Sequence, residues 1–66
     1  MRIIVNGEPS EHPDGLTVSG LLTSLGLEPQ RVAVERNQQI VPRSRHVQTS
    51  LAEGDRLEIV TLVGGG

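Results

Sequence analysis

The sequence contains no cysteine, no aromatic residue and no lysine. Each absence removes a class of function. Without cysteine there is neither a disulfide framework nor a thiolate metal site. Any sulfur chemistry carried by the chain must then use its terminal carboxylate or a partner's thiol. Without aromatic side chains there is nothing to stack on bases, and the basic residues are scattered arginines, so nucleic-acid binding is not expected. Without lysine the chain cannot take an isopeptide bond from a copy of itself, which argues against a self-polymerising tag. His12 and His46 are the only histidines and lie far apart, so no metal site is expected. No apolar run approaches the roughly 20 residues of a membrane span, and no signal peptide is visible. The expected location is cytoplasmic, with no membrane contact.

Size sets the next limit. A chain of 66 residues is one domain, residues 1–66, and buries only about 60 % of its unfolded surface. That leaves little room for an enclosed active site. The reading is a carrier, a modifier or a docking module rather than an enzyme, monomeric when alone, with formal charge −2.

What is present is most distinctive at the end. Thr61-Leu62-Val63 runs into Gly64-Gly65-Gly66, and the sequence stops there. Glycines add nothing to a core and lose the most backbone freedom on ordering, so residues 63–66 are expected to form a flexible tail. Without Cβ atoms such a tail threads a narrow slot, and three extended residues reach about 10 Å.

The body reads in order. Arg2 to Val5 is a strand, and Asn6-Gly7 is a hairpin turn because both residues tolerate positive φ. The return segment from Glu8 to His12 contains Pro9 and is expected on a sheet edge. Thr17 is placed as a helix N-cap. Val18, Leu21, Leu22 and Leu25 follow at i, i+3, i+4 and i+7, forming one apolar face. Gly26 then suits a left-handed C-cap, with Pro29 beyond it. Arg31 to Arg36 alternates as a strand, Asn37-Gln38-Gln39 turns, and Ile40-Val41 forms a short strand ended by Pro42. Arg43 to Ser50 is polar and reads as irregular or as a helical turn, returning through Leu51. Gly54-Asp55 turns the chain into a last strand, Arg56 to Leu62.

This order predicts an α+β fold: a mixed sheet of four to five strands covered on one face by a single helix. The first and last strands are expected side by side and parallel in the sheet centre. Ile3, Val5, Val32, Val34, Leu57 and Ile59 are expected to meet the helix. Ile4, Ala33, Val60 and Leu62 fall on the opposite face, where they suggest a docking patch beside the tail.

Over its full length the chain resembles the ThiS family of thiamine-biosynthesis sulfur carriers, which are ubiquitin-like β-grasp proteins. The resemblance rests on Ile3-Ile4-Val5-Asn6-Gly7 and on Asn37-Gln38-Gln39-Ile40-Val41-Pro42-Arg43. It continues through Leu51-Ala52-Glu53-Gly54-Asp55-Arg56-Leu57-Glu58-Ile59-Val60 to Val63-Gly64-Gly65-Gly66. It departs at His46, where the family often carries an aromatic residue, and at Thr61 and Leu62 in the last strand.

The resemblance implies a chemistry. A partner adenylating enzyme, similar to the activating enzymes of the ubiquitin pathway, uses ATP to place AMP on the Gly66 carboxylate. A persulfide sulfur donor then converts it to a thiocarboxylate, which supplies sulfur to thiazole synthase. Gly64 and Gly65 let the tail pass through the partner's channel, and Ile4, Val60, Leu62, Val63 and Arg43 are the expected docking residues. No catalytic residue and no bound cofactor are implied. The remaining readings are a carrier for molybdopterin or cysteine synthesis, a ubiquitin-like modifier of target lysines, and an interaction domain with an inert tail.

Overall fold

A computed structural model describes residues 1–63 of the chain. Strand β1 (Arg2–Val5) and strand β2 (Glu8–Glu11) form the opening hairpin. Asn6 and Gly7 both take positive φ, 50° and 83°, which gives the two-residue turn its right-handed twist. Val5 pairs with Glu8 and Ile4 with Pro9. β2 is a sheet edge, as the proline required.

Helix α1 spans Val18–Ser24. Thr17 caps it, its hydroxyl accepting from the Gly20 N–H at 3.0 Å. At the other end Gly26 adopts φ 71°. There the Leu27 N–H reaches the Leu22 carbonyl at 2.9 Å and the Gly26 N–H the Thr23 carbonyl at 3.0 Å. This paired pattern is a Schellman motif, and it closes the helix one residue earlier than the apolar spacing suggests. Leu25, expected on the buried face, is therefore the C-cap residue and 47 % exposed.

A 3-10 turn at Pro29–Arg31 leads into β3 (Val32–Arg36), which turns at Asn37-Gln38 into β4 (Gln39–Val41). A second 3-10 turn, Arg43–Arg45, lies in the segment read as irregular, and β5 spans Arg56–Thr61. The five strands lie in the order β2-β1-β5-β3-β4. β5 is central, parallel to β1 and antiparallel to β3.

The core lies between the sheet and α1. Ile3, Val32, Val34 and Leu57 from the sheet are buried with Val18, Leu21 and Leu22 from the helix and with Leu51. Val5 and Ile59, on the same face, are half-buried. The alternation of period two thus set the sheet faces correctly.

Candidate functional site

The glycine-ended strand is held from both sides. On its β1 flank, the Asn6 side chain takes over where the strand stops. Its Oδ1 accepts from the Ile59 N–H at 2.8 Å, and its Nδ2 donates to the Ile59 carbonyl at 3.2 Å. The Asn6 backbone N–H reaches the Leu57 carbonyl at 2.8 Å. On the β3 flank, the Asn37 N–H donates to the Arg56 carbonyl at 2.8 Å, and Asn37 Oδ1 accepts from the Arg56 N–H at 3.0 Å. Two turn asparagines in the left-handed region, Asn6 and Asn37, thus extend the ladders that grip β5.

Asp55, just ahead of β5, is 6 % exposed. Its Oδ2 accepts from Arg36 Nε and from the Ala52 N–H, both at 2.8 Å, and its Oδ1 from Asn37 Nδ2 at 3.0 Å. Burial by itself pushes this carboxyl up. The hydrogen bonds from Asn37, Ala52 and Arg36, with the Arg36 charge, outweigh burial and hold it below its ordinary value. From the sequence alone Asp55 reads as a turn residue. A Gly-Asp pair before a strand carries no signal that an arginine 19 positions earlier reaches it.

His46 is the second buried polar side chain, 3 % exposed. Its Nε2 lies 3.2 Å from the Val41 carbonyl and therefore donates to it, while Nδ1 has no partner. Its carbonyl accepts from the Ser19 N–H at 3.0 Å, tying the segment after β4 to the start of α1. The neighbouring Val47 is instead 72 % exposed, an inversion that hydropathy does not forecast.

Past β5, the last backbone anchor among the described residues is the Leu62 N–H, which donates to the Arg31 carbonyl at 2.8 Å. Arg31 is itself tied to Glu28 at 2.8 Å. Val63 follows at 91 % exposure. The residues expected to be modified or threaded, Gly66, Gly65 and Gly64, lie outside the described residues.

The expected docking residues are not all neighbours. Val60 and Leu62 stand on the outer sheet face, 58 % and 54 % exposed, with Ala33 paired to Val60. Ile4 shares that face but pairs with Pro9 and Arg56, so it is separated from Val60 by the position of Glu58 on β5. Arg43 is exposed on the 3-10 turn after β4, outside the strands of the sheet. Across the middle of the face Glu35 of β3 pairs directly with Glu58 of β5, and Ile40 of β4 sits on the far side of Glu35.

Among the described residues no three His, Asp or Glu side chains come together to hold a metal ion. No helix there is long and apolar enough to cross a membrane. Among the described residues one surface depression is lined by Arg36, Gln39, Val41, Pro42 and Arg45, and another by Leu27, Glu28, Arg31 and Thr61.

A five-strand mixed sheet under one helix, with the central strand leading to a glycine run, defines the ubiquitin-like β-grasp class. The ThiS family model matches residues 3–66, and the chain belongs to that family. It is similar over its whole length to a thiazole synthase of Paramagnetospirillum magneticum, with 46 % identity over 66 residues. The chain spans only 20 % of that relative's length. It is 33 % identical to the sulfur carrier protein ThiS of Escherichia coli, with both chains covered completely. The crystal structure of the thiamine biosynthesis protein ThiS from Geobacter metallireducens superposes with a TM-score of 0.87, at 33 % identity and full coverage of both chains.

Proposed function

We propose that this chain is a sulfur carrier for thiazole formation in thiamine biosynthesis, acting as a co-substrate of partner enzymes rather than as a catalyst. The observation that carries the reading is the placement of β5. The central strand of the sheet, paired on both sides, delivers the chain to an anchor at Leu62, and Val63 then stands clear of the core ahead of three glycines. Family membership and the printed names of the relatives support it.

The chemistry follows from what a carboxylate lacks. Its oxygen is a poor leaving group, so the Gly66 carboxylate first attacks the α-phosphorus of ATP on an adenylating enzyme, releasing pyrophosphate. A persulfide then attacks the acyl carbon of the adenylate and displaces AMP, leaving an acyl disulfide. A thiol cleaves the S–S bond, so that the thiocarboxylate keeps one sulfur and the donor leaves as a disulfide. Gly64 and Gly65 thread the partner's channel. Relatives named thiazole synthase contain a segment similar to this whole chain, which supports a thiazole synthase as the acceptor. It favours the thiazole branch over molybdopterin or cysteine synthesis. The docking residues are Val60, Leu62 and Val63 at the tail base, with Ile4 and Arg43 as outlying contacts.

The deciding experiment is the intact mass after incubation with ATP, the adenylating enzyme and a persulfide source. A gain equal to one oxygen exchanged for sulfur, localised to the C-terminal peptide, is expected. No gain beside an active control carrier would overturn the reading.

A further inference from the structure

On the outer sheet face Glu35 and Glu58 are direct cross-strand partners, and both are exposed. Like charges directly opposite each other destabilise a sheet. Glu11, Asp14, Glu28 and Asp55 each have a cationic partner within 4.0 Å, and of the four acids without one among the described residues, Glu8, Glu35, Glu53 and Glu58, it is Glu35 and Glu58 that face each other across two strands. Among the described residues Glu35 and Glu58 have none. Arg56, two residues before Glu58 on the same face, makes no ion pair with it there. The acids are also set in an apolar frame. Ile40, 72 % exposed, adjoins Glu35 on one side, and Val60 with its partner Ala33 lies one step along the strands towards the tail.

Charge complementarity names the occupant. A purely apolar partner surface would bury two unpaired carboxylates, at a heavy desolvation cost. A partner that inserts an arginine or lysine between them removes their mutual repulsion and gains charge-assisted hydrogen bonds. Glu58 lies four residues before Leu62, about 13 Å along an extended strand. Whatever sits on this face is therefore close to the site the tail must enter. An enzyme that binds a nucleoside triphosphate surrounds it with cationic groups, so the rim of that site attracts an acidic carrier.

We propose that the Glu35–Glu58 pair is the recognition element for the adenylating enzyme, receiving a cationic side chain set in an apolar surface. This rests on the sulfur-carrier reading above. The pair trades intrinsic stability of the sheet for speed and specificity of docking.

The test uses the full chain and its adenylating enzyme, with association rate and affinity measured at low and high salt. Glu35→Gln and Glu58→Gln are each expected to weaken binding about tenfold at low salt, mostly through association, and to flatten the salt dependence. Both are expected to raise the melting temperature, an effect opposite in sign to that of a damaged fold. Glu35→Lys/Glu58→Lys, which relieves nothing between the strands but reverses the charge, is expected to abolish docking. If the double Gln variant binds like wild type with the same salt slope, while wild type still forms the thiocarboxylate, this inference alone fails. If only binding to thiazole synthase falls, the assignment to the adenylating enzyme is wrong. If wild type neither binds the adenylating enzyme nor gains sulfur, the carrier reading fails and this proposal with it.

Discussion

The side-chain amide of Asn6 pairs with both backbone polar groups of Ile59, at 2.8 and 3.2 Å. It stands in for a peptide unit that β1 does not supply, so the parallel ladder continues one step further along β5. The same residue makes the hairpin turn at φ 50°. Those two roles separate by substitution. Asn6→Gly keeps the turn and loses the amide, at an expected cost of about 1–3 kcal/mol for two hydrogen bonds. Asn6→Asp keeps the acceptor but sets a carboxylate against the Ile59 carbonyl. Denaturant titration gives the stability loss. Amide exchange at Ile59, accelerated more than at Leu57, distinguishes a local clip from a global effect.

Asp55 gives the acid limb of stability. Its folded pKa is held below the ordinary value of 3.8. A carboxylate depressed by folding contributes stability that is fully present above its unfolded pKa and is lost as pH falls through the lower folded one. Asp55→Asn is expected to lose about 2–3 kcal/mol at neutral pH, since Arg36 keeps its charge while its partner loses its own. The difference from wild type should shrink as pH falls through the lowered folded pKa, where Asp55 protonates in the parent as well. A constant difference down to low pH would remove Asp55 as the source.

Two glycines make opposite demands. Gly26 has open space where a Cβ would go but takes φ 71°, so Gly26→Ala costs only backbone strain, about 1–2 kcal/mol. Gly20 is helical, and an added Cβ would lie 2.8 Å from Leu16 Cδ1, the far end of a flexible side chain. Helix propensity returns about 1 kcal/mol for Gly20→Ala. The two effects are expected to cancel to within about 0.5 kcal/mol. Melting temperatures of the two variants, compared side by side, check both statements.

Local signals carried most of the fold. Asn6-Gly7, Thr17, Gly26 and the alternation in Val32 to Arg36 each act within a few residues, and each fixed its element. Element ends were less visible, because the Schellman closure that exposes Leu25 is decided by where Gly26 can turn, not by hydropathy. Contacts made at long range left no pattern to read. Asp55 with Arg36, and His46 beneath Val41, are satisfied across the fold, and a polar letter in a polar segment looks the same whether buried or solvated. The outer face shows the same limit. Parity placed Ile4, Val60 and Leu62 on one side, but only the strand register revealed Glu58 between Ile4 and Val60, and Glu35 across from it.

If the outer face docks the partner, Val60→Asp and Leu62→Asp should weaken binding to the adenylating enzyme by about tenfold or more, as truncating a contact near an interface centre does. Both residues are more than half exposed, so melting should change little. Ile4→Asp, on the far side of Glu58, should weaken binding less. Calorimetric titration of the three variants ranks them, and equal losses would mean the contact spans the whole face.

Removing Gly66, or adding one residue after it, should abolish sulfur transfer while leaving the melting temperature unchanged. The argument is geometric. Among the described residues the last backbone anchor is the Leu62 N–H on the Arg31 carbonyl, and Val63 already stands 91 % exposed. Among the described residues the contacts that hold β5 end at Leu62, so the body is expected not to register the change. The chemistry must register it. From Leu62 four extended residues span about 13–14 Å. A shortened tail brings its carboxylate up about 3.5 Å short of the α-phosphorus, far outside the reach of an in-line attack. An added residue, by contrast, moves the carboxylate off Gly66 and puts a side chain in the slot. Thiocarboxylate formation followed by mass, with adenylation followed by pyrophosphate release, separates the two failures. Sulfur transfer retained by either variant would mean that the chain's end is not where the reaction occurs.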